Sequence, residues 1–184
     1  LLPFDTPEWR EPADTLQATH TQGAVFDPAC ARLHPAKLVR GLARAADSAG
    51  VRIAEKTAVI DYRPGVVTTD AGDVRGDIII DAMEGYRSQL RPTRRASLPL
   101  YSLMIATEPL PGAVFDDIGM PHGMTFSDFR SLVIYGQRTS GNRIAFGGRG
   151  APYHWGSTIA PEFDRVPRVF QALETTLKEM FPQI

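Results

Sequence analysis

The sequence predicts an α+β fold: a partial α/β unit over residues 1–95, followed over residues 96–184 by an antiparallel β-sheet with a packed helix. Three observations lead there. Ile78-Ile79-Ile80, within Gly76 to Tyr86, is a β-branched run without helical period, and it reads as a short central strand buried on both faces under helices. Thr139-Ser140-Gly141-Asn142 separates two apolar runs and is a hairpin signal. Two segments with Pro in their first turn, starting near Pro35 and Pro167, repeat apolar residues at helical spacing.

Taken in order, residues 1–22 hold Pro3, Pro7 and Pro12 among polar residues and predict an irregular surface segment. Gly23 to Pro28 is a short apolar run closed by an Asp-Pro turn, a candidate edge strand. A helix is expected from Pro35 to Ala49, with Leu38, Leu42, Ala45 and Ala49 on one face, Lys37, Arg40 and Arg44 facing water, and Gly50 at its end. His34 just before it suits a capping or packing role. Val51 to Ile60 alternates at its start as a strand does. Val66 to Thr69 and the residues from Val74 form a hairpin about Asp70-Ala71-Gly72-Asp73. Arg87, Arg91, Arg94 and Arg95 crowd a Pro-containing linker, read as a solvated connector. Beyond it, Leu100 to Thr107, Ser131 to Tyr135 and Arg143 to Gly148 are strand candidates, the last two pairing antiparallel. The closing helix, Pro167 to Met180, turns Val169, Leu173, Leu177 and Met180 to one side. A mostly antiparallel sheet covered on one face by that helix is the natural packing.

Composition excludes several functions. The chain has 184 residues, 43% hydrophobic, and a net charge of −1, so neither nucleic acid nor an anionic membrane surface is an expected partner. The single cysteine, Cys30, excludes an internal disulfide, fits a reducing, cytoplasmic setting, and is expected to be a small buried residue. No apolar run approaches a membrane span, and the start lacks a signal-peptide pattern. A first residue other than Met and the ending Phe181-Pro182-Gln183-Ile184 suggest a piece excised from a longer protein. His20, His34, His122 and His154 form no i, i+4 pair, so no metal site is expected. There is no phosphate-binding loop, nucleophile elbow or Gly-x-Gly-x-x-Gly fingerprint.

Polar and aromatic residues gather where the paired strands end: Tyr135, Gln137 and Arg138 on one, and Arg149, Tyr153, His154 and Trp155 after the other. Arg among aromatics holds a carboxylate while packing an apolar or cationic remainder.

Four places together resemble the FAD-dependent D-amino-acid oxidase and glycine oxidase-like amine oxidoreductase family. They are Gly23 to Pro28 with His34-Pro35-Ala36-Lys37-Leu38; Gly50 to Val59; Asp77 to Tyr86; and Ile105 to Leu110 with Arg143 to Gly148 and the closing helix. The resemblance implies an incomplete FAD-binding domain over 1–95, lacking the glycine-rich N-terminal part, and a substrate-binding domain over 96–184. It implies a flavoprotein that oxidises the C–N bond of a small-molecule amine or amino acid by hydride transfer to flavin, with no essential side-chain acid or base. By the same resemblance Val59 meets the adenine end of FAD through its backbone, the turn Ala82-Met83-Glu84-Gly85 approaches the cofactor, and the sheet roofs the isoalloxazine. Tyr135, Arg138 and Arg149 are the implied substrate-binding residues. Without the phosphate loop this stretch alone is expected to hold FAD weakly or not at all, and to be inactive. The alternative is a non-catalytic α+β module that binds an anionic small molecule. A hydrolase using His154 with Ser157 or Asp128 lacks supporting spacing.

Overall fold

A computed structural model describes residues 6–184 as a mixed helix-and-sheet chain with antiparallel sheets. The described chain forms two compact units. One comprises residues up to Arg32, Tyr101–Ala151 and Asp164–Ile184; the other comprises Leu33–Leu100 and Pro152–Phe163. The first five residues of the irregular opening segment lie outside the described residues.

The first unit is built on a four-stranded sheet of β6 (Ser102–Ala106), β7 (Thr125–Ser127), β8 (Ile134–Arg138) and β9 (Ile144–Arg149), ordered β6-β9-β8-β7 and antiparallel throughout. The Thr139–Asn142 spacer joins β8 to β9 as expected, with Asn142 in the left-handed region (φ 54°), where Asn is tolerated. The strand expected at Ser131 to Tyr135 instead starts at Ile134 and runs on to Arg138. Helix α3 (Pro167–Met180) matches its expected bounds, and Val169, Leu173 and Leu177, spaced four apart, are all buried. Its water side carries the Glu174–Lys178 pair at 2.6 Å.

Under α3 lie Ile144, Phe146 and Phe181, each 0% exposed, with Phe115, Ile118 and Met120. Phe126 stacks on Phe146 at 6.2 Å and meets Phe181 edge-on at 5.7 Å. The short helix α2 (Gly112–Asp117) supplies Phe115 to this core, although its six residues carried no readable period. A two-stranded ribbon, β1 (Glu8–Arg10) with β2 (Ala24–Phe26), belongs to the same unit, and Leu16 between them joins its core. β2 answers the expected edge strand. Cys30, expected to be buried, is exposed, because it follows the Asp27-Pro28 turn on an irregular stretch.

The second unit holds α1 (Pro35–Ser48) and a three-stranded antiparallel sheet of β3 (Val59–Arg63), β4 (Val66–Thr69) and β5 (Gly72–Arg75). The Pro64-Gly65 turn uses Gly65 at φ 81°, a conformation that costs other residues dearly. The Asp70–Gly72 turn is tied by Thr69, whose hydroxyl donates to the Gly72 carbonyl at 2.7 Å and accepts from the Ala71 amide at 3.1 Å. α1 begins where expected, with His34 as its cap: the ring Nδ1 accepts from the Lys37 amide at 3.4 Å.

Three expectations fail in this unit. Ile78 to Ile80 is not a buried central strand: Ile78 is 82% and Ile80 84% exposed, and the segment joins no sheet among the described residues. Val51 to Ala54 is irregular, and only Val59 onward becomes a strand. The apolar face of α1 is also open, with Leu38 at 48% and Leu42 at 61%. The physical reason is common to all three: an apolar period specifies burial only where a partner surface exists to receive it.

Candidate functional site

Strand alternation divides the four-stranded sheet into two chemically different faces. Ile134, Gly136, Arg138, Ile144 and Phe146 point to the α3 side, all of them buried. Tyr135, Gln137, Gly147 and Arg149, with Ser102 and Met104 from β6, line the other face. This second face carries a mixed polar and apolar surface: Ser102 and Arg149 are exposed, Met104 is 46% exposed, and Tyr135 is half-buried.

Glycine shapes that surface. A Cβ on Gly147 would lie 2.7 Å from the Tyr135 ring and 2.8 Å from Met104 Cγ, so the bare backbone lets both side chains lie against the strand. The Tyr135 hydroxyl meets Ser102 Oγ at 2.8 Å, and Ser102 Oγ also donates to the Gly148 carbonyl at 3.2 Å. Arg149 is the cross-strand partner of Ser102. One corner of this face therefore holds a phenol, a hydroxyl and a guanidinium, which together can receive an anionic and a polar group.

Arg138 belongs to the other face. Its guanidinium donates to Asn142 Oδ1 (2.9 and 3.2 Å) and the Met120 carbonyl (2.9 Å), meets His122 Nε2 at 3.1 Å, and lies 4.0 Å over the Phe115 ring. A guanidinium cannot accept, so His122 Nε2 is the acceptor in that contact. These contacts make Arg138 a buried tie between the β8–β9 turn and the segment after α2. The structure thus brings Tyr135 and Arg149 to one surface and turns Arg138 away from it. Period-two alternation alone separates 135 from 138, and was the available signal. Ser102 and Gly147 escaped sequence reading because their part depends on cross-strand register.

In the second unit, Val59 opens β3, an edge strand that leaves one row of backbone donors and acceptors unpaired within its sheet. A bulge at Ile60 interrupts the register between Val59 and Asp61. Ala82 to Gly85 forms a turn fixed by Asp81, a residue the sequence reading did not single out. Asp81 accepts from Tyr62 OH at 3.0 Å and from the Met83 amide at 3.2 Å, and pairs with Arg87 at 3.1 Å. Glu84 sits at φ 51°, and its carboxylate accepts from the Gly85 amide. At Gly85 an added Cβ would meet only Pro99 at 3.7 Å, so the unit's own packing leaves that backbone open to approach.

The residues needed to cradle a diphosphate are not among those described: no glycine loop opens a helix, and the start of α1 is closed by its own His34. The described residues thus include an open strand edge at β3 and the Ala82–Gly85 turn, and no glycine loop at a helix start. The trio named for hydrolysis is engaged elsewhere: the His154 ring stacks on Phe163, Ser157 Oγ meets Tyr153 OH at 3.2 Å, and Asp128 pairs with Arg130. No helix among the described residues is long and apolar enough to cross a membrane.

A family model described as FAD dependent oxidoreductase matches residues 3–184. The chain is 34% identical over 146 residues to a probable oxidoreductase, OrdL, of Rhizobium meliloti (strain 1021), covering 77% of this chain and 33% of that protein. It is also 34% identical over 135 residues to the probable oxidoreductase OrdL of Haemophilus influenzae, covering 68% and 31%. The chain therefore spans about a third of the length of these relatives. Among solved structures, an L-proline dehydrogenase from P. horikoshii superposes with a TM-score of 0.71 at 14% identity, over 96% of this chain and 48% of that one. A glycine oxidase from Geobacillus kaustophilus gives 0.68 at 19%, over 97% and 47%. At those identities the two structures speak for the fold alone.

Proposed function

Because the chain belongs to the FAD dependent oxidoreductase family, we propose that it is part of an FAD enzyme that oxidises the C–N bond of a small amine or amino acid. The observation that carries this reading is the free face of the four-stranded sheet, where Tyr135, Ser102 and Arg149 converge beside Gly147. Bound FAD would supply the two-electron acceptor that no side chain provides. The chain's own task is to bind and orient: Arg149 holds the anionic end, the Tyr135 hydroxyl meets the nitrogen, and Met104 with the tyrosine ring excludes water from the reacting carbon.

Residues 96–184 act as the substrate domain and 1–95 as part of the FAD domain. Val59 at the β3 edge serves the adenine, and Ala82-Met83-Glu84-Gly85 approach the cofactor. Arg138, tied into the core, is left out of the substrate set. The whole protein extends beyond these 184 residues and works in the cytoplasm, and this stretch alone holds FAD weakly or not at all and is inactive. The glycine oxidase and L-proline dehydrogenase among its structural neighbours favour amino acids as the substrate class.

The test is a visible spectrum of the protein expressed from its whole reading frame, followed by anaerobic addition of glycine, L-proline and simple amines. Flavin bands that bleach with one of them support the reading. A protein that stays colourless after incubation with FAD refutes it.

A further inference from the structure

Hydrogen-bond polarity on the free sheet face specifies more than a list of contacts does. A backbone carbonyl can only accept, so the Ser102 hydroxyl, with its single proton, donates to the Gly148 oxygen at 3.2 Å. With that proton so used, Ser102 Oγ accepts in its 2.8 Å contact with Tyr135, where either oxygen taken alone could donate, and the phenol proton is directed to it. The relay runs Tyr135 O–H to Ser102 O–H to Gly148 C=O.

Its consequence is directional. With its proton turned along the sheet, the Tyr135 oxygen presents only lone pairs to the site. We infer that Ser102 is a positioning residue that holds Tyr135 as a hydrogen-bond acceptor, so that this tyrosine receives the N–H of the substrate and Arg149 alone takes the carboxylate. This rests on the substrate face proposed above and deepens it by giving each end of an amino acid its own partner. A carboxylate oxygen placed against Tyr135 would face lone pairs, or would have to turn the phenol proton out of the relay. Gly147 keeps the geometry in place, since any side chain there would push the Tyr135 ring off the strand.

The probes are pyrrole-2-carboxylate and 2-furoate, flat anions of one shape that differ in offering a ring N–H or a ring oxygen. Their binding to the whole protein is measured by calorimetry, which reads association whether or not flavin is bound. The relay predicts that pyrrole-2-carboxylate binds roughly three- to tenfold more tightly, the worth of one neutral hydrogen bond. In Ser102→Ala the phenol proton is released to turn outward, so the ratio falls toward one. Ser102→Thr keeps a hydroxyl on the same exposed edge strand and restores the preference. Equal affinity for the two probes in the unaltered protein overturns the inference, as does a preference that survives Ser102→Ala, or binding of neither probe. Flavin content, read separately from the visible spectrum, decides the oxidoreductase reading, so the two can fail independently.

Discussion

Two apolar stretches of this chain meet opposite ends. Ile144 and Phe146 in β9 are wholly buried between α3 and the neighbouring strands, whereas Ile78 and Ile80 stand 82% and 84% exposed. Both stretches have the composition of a core strand. The difference lies in what surrounds them: β9 has a hydrogen-bonded strand on each side and a helix above, while the isoleucine run joins no sheet among the described residues. Strand propensity is a statement about fitting a half-buried surface, and it is realised only where the rest of that surface is present.

The largest expected effect sharpens this contrast. Phe146→Ala should lower the unfolding free energy of its unit by about 3–5 kcal/mol, as a large buried aromatic leaves a cavity behind. Ile78→Ser should change it by less than about 0.5 kcal/mol, as an exposed side chain does. Urea titration followed by near-ultraviolet circular dichroism checks both, and equal effects would break the comparison.

Next comes Gly136→Ala, which places a methyl 2.4 Å from the Phe126 ring and should cost about 1–3 kcal/mol by the same titration. Asp81→Asn should remove about 1–2 kcal/mol from the second unit by weakening a charge-assisted cluster around the Ala82–Gly85 turn. Faster amide exchange at Met83 would report it. Smallest is the surface pair on α3. Lys178 donates to Glu174 and holds its carboxyl below the ordinary glutamate value. Any stability from a lowered carboxyl is present above the ordinary value and is lost as the pH falls through the lowered one. Because the pair is fully exposed, Glu174→Gln should leave the melting temperature nearly unchanged at neutral pH, with the two proteins converging in acid.

The legible parts of the fold were those whose partners are close in sequence. The 139–142 turn, the α3 face and the 66–75 hairpin each contain both halves of their own interaction. Ile78 to Ile80 and the apolar faces of α1 depend on surfaces elsewhere, and periodicity cannot tell whether these are present. At the site, residue types were readable, and directions only where a strand's own alternation sets them. Tyr135 and Arg149 could be named from composition, but the separation of Arg138 onto the core face needs strand alternation, and the part of Ser102 needs the β6–β9 register. Asp81 went unseen because a lone carboxylate in a loop carries no period.

The most direct test of the substrate face is anaerobic flavin reduction in the whole protein, titrated with the amino acid that bleaches it, for Arg149→Gln beside the unaltered enzyme. The half-saturating concentration should rise roughly tenfold or more, corresponding to the loss of a charge-assisted hydrogen bond, with the melting temperature unchanged. A half-saturating concentration equal to that of the unaltered enzyme would contradict it and move the substrate away from this face of the sheet.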